Sequence, residues 1–184
     1  GKVGRVGEQE VQRSISTQPL SLRYRLDAVF VGTARYFTEE GAPIGSGPLP
    51  PVVGEPTTYR VYWAIEKSLH ELDAVTVTTT LPESVVFGGS KEIGAGSLVF
   101  TTSTRELRWS LNKLPEDVSL AEVSFDLVLT PNPLDSGRFA PLTTGMLFTA
   151  KDSLLNEAIT QNSTALSTDL LDDDGAKGKG VVKK

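Results

Sequence analysis

The stretch Thr57–Leu81 constrains the fold more than any other part of the chain. It reads Thr-Thr-Tyr-Arg-Val-Tyr-Trp-Ala-Ile-Glu-Lys, then a short polar turn, then Asp-Ala-Val-Thr-Val-Thr-Thr-Thr-Leu before Pro82. In an extended strand Tyr59, Val61, Trp63 and Ile65 fall on one face, and Arg60, Tyr62, Ala64 and Glu66 on the other. Val75, Val77, Thr79 and Leu81 share a face in the second half. A period of two carried by β-branched and aromatic residues fits a half-buried antiparallel sheet, because each pleat sends successive side chains to opposite sides. The pattern predicts a β-hairpin over Thr57–Leu81, with His70 in its turn.

The same period recurs along the chain. Leu22, Tyr24 and Leu26 alternate against Arg23, Arg25 and Asp27 before an apolar run through Val31, which predicts a first long strand from Leu20. Residues 41–56 carry five prolines and four glycines; these remove ladder donors, so the segment is expected to cross the surface as a connection. Short strands are expected at Val85–Phe87, Ser97–Phe100 and Glu106–Leu111, bounded by Gly, Asn and Pro turns. Residues 121–130 place Val123, Phe125, Leu127 and Leu129 on one face. Two further strands follow near Gly145–Lys151 and Ala158–Leu166. No apolar period of 3.6 residues persists beyond about ten residues, so helix content is expected to be very low.

About nine such strands predict an all-β fold, an immunoglobulin-like antiparallel β-sandwich with flexible N- and C-terminal segments. The expected division is a flexible segment or exchanged strand at 1–19, the sandwich at 20–168, and a linker at 169–184, acidic and then Gly/Lys-rich, that does not fold. Starting at Gly1 rather than Met, the chain reads as a processed or excised segment.

Composition removes several function classes. Eighteen Lys and Arg against 23 Asp and Glu give a net charge of -5, so no field gathers nucleic acid or an anionic membrane. No apolar run is long enough for a membrane span. The sequence has no cysteine and one histidine, which removes disulfides, thiolate metal sites and cysteine nucleophiles and leaves little for imidazole chemistry. A Ser68, His70 and Glu71 neighbourhood in one turn does not make a triad, which needs a base and an oxyanion hole held by tertiary structure. Adjacent Glu39 and Glu40 likewise lack the facing geometry of a glycosidase pair. The chain is read as not an enzyme.

Three candidate sites remain. Asp169, Asp172, Asp173 and Asp174 are a possible calcium site, since that ion takes six to eight oxygens, although their spacing does not fit a helix–loop–helix loop; no other cofactor is expected. Tyr62 beside Arg60 on an outer strand face is a candidate glycan contact, because an exposed ring can stack on a sugar. Val11, Arg13, Ile15 and Thr17 alternate weakly and form a candidate assembly strand, able to pair with an open sheet edge of another copy.

Several motifs taken in order carry a resemblance. Gly47-Pro48-Leu49-Pro50-Pro51-Val52-Val53-Gly54-Glu55-Pro56-Thr57-Thr58-Tyr59 leads into a strand through a proline pair and Val-Gly-Glu. Asp73-Ala74-Val75-Thr76-Val77 precedes Thr80-Leu81-Pro82, and Arg108-Trp109-Ser110-Leu111 precedes Leu114-Pro115 and Val123-Ser124-Phe125. Over roughly Leu20–Asp174 this order resembles the immunoglobulin-like conserved-repeat domains of large bacterial surface and cell-wall proteins. The parallel is nearest in repeats of ultra-small, reduced-genome bacteria of the candidate phyla, where a Thr-Asp-Leu and an acidic cluster close the domain, as Thr168-Asp169-Leu170 and Asp172–Asp174 do here. The resemblance implies an extracellular structural or adhesive module at the bacterial cell surface, partnered by other copies or neighbouring repeats, with no catalytic residues to carry over. In that setting Asn162-Ser163-Thr164, which has the spacing of a glycosylation acceptor, reads as a polar strand face.

Overall fold

The computed structural model describes residues 28–67 and 69–184. Nine strands form two antiparallel sheets. They are β1 (Ala28–Arg35), β2 (Thr57–Lys67), β3 (Leu72–Thr80), β4 (Val85–Ile93), β5 (Ser97–Thr101), β6 (Glu106–Leu114), β7 (Leu120–Leu129), β8 (Met146–Asp152) and β9 (Ala158–Ser163). One sheet has the order β1-β2-β7-β4 and the other β5-β6-β3-β8-β9. The only helix among the described residues is a single 3₁₀ turn, Pro133–Asp135, capped by Asn132. No described helix is long and apolar enough to cross a membrane. The expected all-β sandwich is therefore the observed architecture.

The faces follow the alternation. Thr57, Tyr59, Val61, Trp63, Ile65 and Lys67 are buried along β2, with Tyr62 and Glu66 exposed. On β3, Val75, Val77 and Thr79 are buried. Leu72 is buried with them although it lies three residues from Val75, because the register against β8 shifts between Asp73 and Thr76, where Ala74 has φ 49. A bulge inserts one residue and so restores the inward phase. Trp63 meets Phe30 and Phe125 edge-on at 5.8 and 5.0 Å, and Phe30 stacks on Phe148 of the opposite sheet at 6.3 Å. Each such buried ring removes apolar area worth about 1.5–3 kcal/mol from water.

The expected hairpin does not form. β2 pairs with β1 and β7, whereas β3 pairs with β6 and β8, so the chain passes from one sheet to the other between Lys67 and Leu72. Each strand has one strongly apolar face, and crossing sets the two faces against each other in one core instead of side by side on one sheet. The link also lacks the Asn-Gly or Asp-Gly pair of a tight hairpin. Sequence-adjacent strands do pair at β5–β6 and at β8–β9. The strand expected from Leu20 is seen from Ala28; residues 20–27 and the segment 1–19 lie outside the described residues.

The C-terminal expectation also needs correction, because residues 169–184 pack as part of the sandwich. Leu170, Ala176 and Val182 join the core at 3%, 0% and 2% exposure. Val182 N donates to Arg138 O and Gly137 N to Val182 O; Lys183 N donates to Pro51 O and Val53 N to Lys183 O. The proline-rich connection is thus held between the sheets and this tail, with Pro51 buried and Leu49 and Val53 packed on the core. The tail glycines read as flexible, but Gly180 is needed for close approach: a Cβ there would lie 1.4 Å from Thr168 O.

Tyr59 Oη and Trp63 Nε1 are buried without a hydrogen-bond partner among the described residues, and burial pushes the Tyr59 phenol pKa above its ordinary value. A buried hydroxyl with no partner costs about 1–3 kcal/mol. Tyr59→Phe is therefore expected to leave the melting temperature unchanged or raise it; a fall of several degrees would show that the hydroxyl is satisfied.

Candidate functional site

The acidic cluster resolves into separate roles. Asp173 is 1% exposed. Its Oδ2 accepts from Tyr36 N at 2.6 Å and Phe37 N at 2.8 Å, and its Oδ1 from Gly175 N and Ala176 N at 3.0 Å each. Asp172 and Asp174 are exposed and Asp169 is half-buried. Among the described residues no three His, Cys, Asp or Glu side chains converge as a metal would require. The four aspartates are thus not assembled into a calcium site: consecutive residues in a turn point in different directions, and both oxygens of the inward one are spent on backbone amides. A carboxylate accepting several N–H bonds ties the tail to the end of β1.

Tyr62 and Arg60 do share the outer face of the four-stranded sheet. Tyr62 stands 39% exposed, a ridge between two open grooves of about 450 and 430 Å³. Glu122 lines both, Glu92 the first, and Glu39 and Glu40 the second. Arg60 is committed elsewhere, with its Nε 2.9 Å from Asp126 Oδ1 and its Nη1 donating to Ser124 Oγ at 3.4 Å. The register explains this, since Arg60 lies directly opposite Asp126 on β7. The expected aromatic and arginine pair is therefore a lone tyrosine beside a neutralised arginine. Val11, Arg13, Ile15 and Thr17 lie outside the described residues.

His70 has a structural partner. Its Nδ1 is 2.8 Å from Asp152 Oδ2, while Asp152 Oδ1 accepts from Leu154 N and Leu155 N at 2.8 Å each. Asp152 is 1% exposed. Burial opposes its ionisation, but the Leu155 amide, the His70 ring and the Leu154 amide outweigh it and hold the carboxyl below the usual carboxylate range. Glu71 Oε1 meets Lys113 Nζ at 2.7 Å, and Ser153 Oγ donates to Asp73 Oδ2 at 2.8 Å. The polar residues of this turn pin β3 to β6 and to the β8–β9 turn.

Two side chains without any local sequence signal matter most for how the sandwich closes. Gln161 of β9 reaches the edge of β1, where Phe30 N donates to its Oε1 at 2.9 Å and its Nε2 donates to Phe30 O at 2.8 Å. One carboxamide thus substitutes for a neighbouring strand and bridges the seam. Arg105 stands at the opposite seam with φ 56, donating from Nε to Leu81 O at 2.9 Å and from Nη2 to the carbonyls of Pro82 and Val85.

No family model matches the sequence, and no curated protein is significantly similar to it. Among solved structures, the chain is similar to BcpA, the major pilin subunit of Bacillus cereus, with TM-score 0.47 and 10% identity over 77% of this chain and 40% of the pilin. A D312A form of the same pilin gives 0.48 and 12% with the same coverage. The full-length major pilin SpaD from Corynebacterium diphtheriae gives 0.46 and 13%, covering 77% of this chain and 34% of SpaD. The chain thus spans well under half the length of each pilin. At these identities and scores the likeness assigns no residue here a role.

The depressed Asp152 pKa fixes the sign of a pH dependence. Its contribution to stability is present above the ordinary carboxylate value of about 3.9 and is lost as pH falls through the lower folded value. The melting-temperature gap between wild type and Asp152→Asn is expected to be widest at pH 5–7 and to shrink below about pH 4. A gap constant from pH 3 to 7 would contradict the assignment.

Proposed function

We propose that the chain is a non-enzymatic structural module of a bacterial surface assembly, a building block whose partners are other copies of itself or neighbouring repeats. One observation carries the reading: Ala28 and Lys183 lie at opposite poles of the sandwich. Ala28 pairs with Lys67 at one end of β2. The last residues bridge Lys183 to Val52 beyond the other end, where Gly54 N donates to Pro131 O and Thr57 pairs with Leu129. β2 has 11 residues, so at about 3.3 Å per residue the poles are roughly 35 Å apart. With these two points at opposite poles, copies can be strung end to end, and the tension would run along strands that are crosslinked side by side by their ladders.

The use of the polar side chains supports the same reading. Asp173, Thr168, Gln161, Asp152 and Arg105 all hold the two sheets, the turns or the tail in place. Thr168 alone accepts from Ala140 N at 3.0 Å and donates to Gly180 O at 2.6 Å.

Light scattering coupled to size exclusion, followed by electron microscopy of the concentrated protein, tests the proposal. Concentration-dependent assemblies are expected. A strictly monomeric chain at every concentration up to the millimolar range would overturn it.

A further inference from the structure

The four edges of the two sheets are not treated alike. In an antiparallel strand the N–H and C=O of one residue point to the same side, and the next residue points to the other. Lys67 N donates to Ser119 O, so the odd residues of β2 bond toward β7 and the even residues of β1 face outward. On that outward edge of β1, Phe30 is taken by both ends of the Gln161 carboxamide and Tyr36 N by Asp173. The β4 edge is broken by a register shift between Phe87 and Lys91, and its Val85 carbonyl is taken by Arg105. The β5 edge is only five residues long, and Lys91 Nζ donates to its Leu98 carbonyl at 3.2 Å. Such short, bulged or side-chain-capped edges resist the addition of a further strand.

β9 has none of these devices. Asp152 N donates to Glu157 O, so Ile159, Gln161 and Ser163 bond toward β8 while Ala158, Thr160 and Asn162 direct their backbone groups outward. All three are exposed, and no described residue hydrogen-bonds to their N–H or C=O. The strand Ala-Ile-Thr-Gln-Asn-Ser has no charge, no proline and no bulge.

We infer that the β9 edge accepts an added strand, and that the strand is Val11–Thr17 of a second copy. The inference rests on the assembly reading above and names its contact. Val-Gln-Arg-Ser-Ile-Ser-Thr contains no proline, and Pro19 follows it, which limits the pairing to about the six residues that β9 offers. Val11, Arg13, Ile15 and Thr17 would share one face and Gln12, Ser14 and Ser16 the other, a half-polar strand matched to an edge whose residues alternate between exposed and half-buried. Charge favours the contact. Residues 1–27 hold five of the 18 Lys and Arg but only three of the 23 Asp and Glu, so the remainder of the chain carries the whole negative excess. An arm on one copy that fits an edge on the next is a heterologous contact, which propagates into an open filament unless rotation closes it.

Thr160→Pro tests this directly, because the Thr160 N–H faces outward and its loss leaves the bonds of residues 159 and 161 to β8 in place. The assembled fraction is expected to fall at least tenfold at equal concentration. If that variant melts more than a few degrees lower, Thr160→Lys, which keeps every ladder bond and charges the edge, gives the readout instead. The chain has no cysteine, so two singly substituted proteins, one Ser14→Cys or Ser16→Cys and the other Thr160→Cys, can be mixed and oxidised. A mixed disulfide dimer is expected. Assemblies that persist undiminished in the edge variants, or a disulfide that forms only within a doubly substituted chain, would overturn the edge contact while leaving the assembly reading standing. A chain that never assembles overturns both.

Discussion

Four backbone amides converge on one buried carboxylate at Asp173, and the finished shape of the molecule depends on that point. Two of the amides belong to the end of β1 and two to the tail itself, so the bond set joins the first described strand to the last residues of the chain. Hydrogen bonds to a charged acceptor contribute more than neutral ones, about 1.5–3 kcal/mol each in mutational series. An ion buried this deeply persists only when its lone pairs are filled. With the carboxylate in place, Gly175 lies on the Phe37 ring and Val182 and Lys183 reach the proline-rich connection. That path delivers Lys183 to the pole opposite Ala28.

The same economy runs through the rest of the fold. A sandwich of two open sheets has two seams, and at each a side chain from one sheet fills backbone groups of the other: Gln161 on Phe30 at one, Lys91 on Leu98 at the other. Closing the seams stabilises the core by excluding water from the edge-on cluster of Phe30, Trp63 and Phe125. Together with the register shift and Arg105 on β4, it also limits three of the four edges as sites for strand addition. Asp173, Thr168, Gln161, Asp152 and Arg105 are used as fasteners between sheets, turns and tail.

Much of this was legible in the sequence and some was not, for identifiable reasons. The inward faces of β2, β3, β6 and β7 follow from a period of two because burial is decided residue by residue along a strand. Whether Thr57–Leu81 is a hairpin or a crossing between sheets does not follow, since both keep the same alternation and differ only in which distant strands, β7 or β6, take the ladder bonds. The tail reads as a linker because glycine and aspartate in a run have that composition; their actual use is a close approach of Gly180 to Thr168 and an amide trap at Asp173, two of whose partners, Tyr36 and Phe37, lie more than a hundred residues away. Gln161 gives no local signal at all. The alternation puts Arg60 on the outer face beside Tyr62, but its cross-strand neighbour Asp126 follows only from the register.

Whether residues 169–184 belong to the folded unit decides where the polypeptide leaves the sandwich. Native-state hydrogen exchange of the Tyr36, Phe37 and Ala176 amides, compared with Trp63 in the centre of β2, measures this most directly. These three amides are expected to exchange only with global unfolding, at the slow rate of Trp63. Exchange orders of magnitude faster at all three, with Trp63 still protected, would show the tail opening independently as the linker its composition resembles.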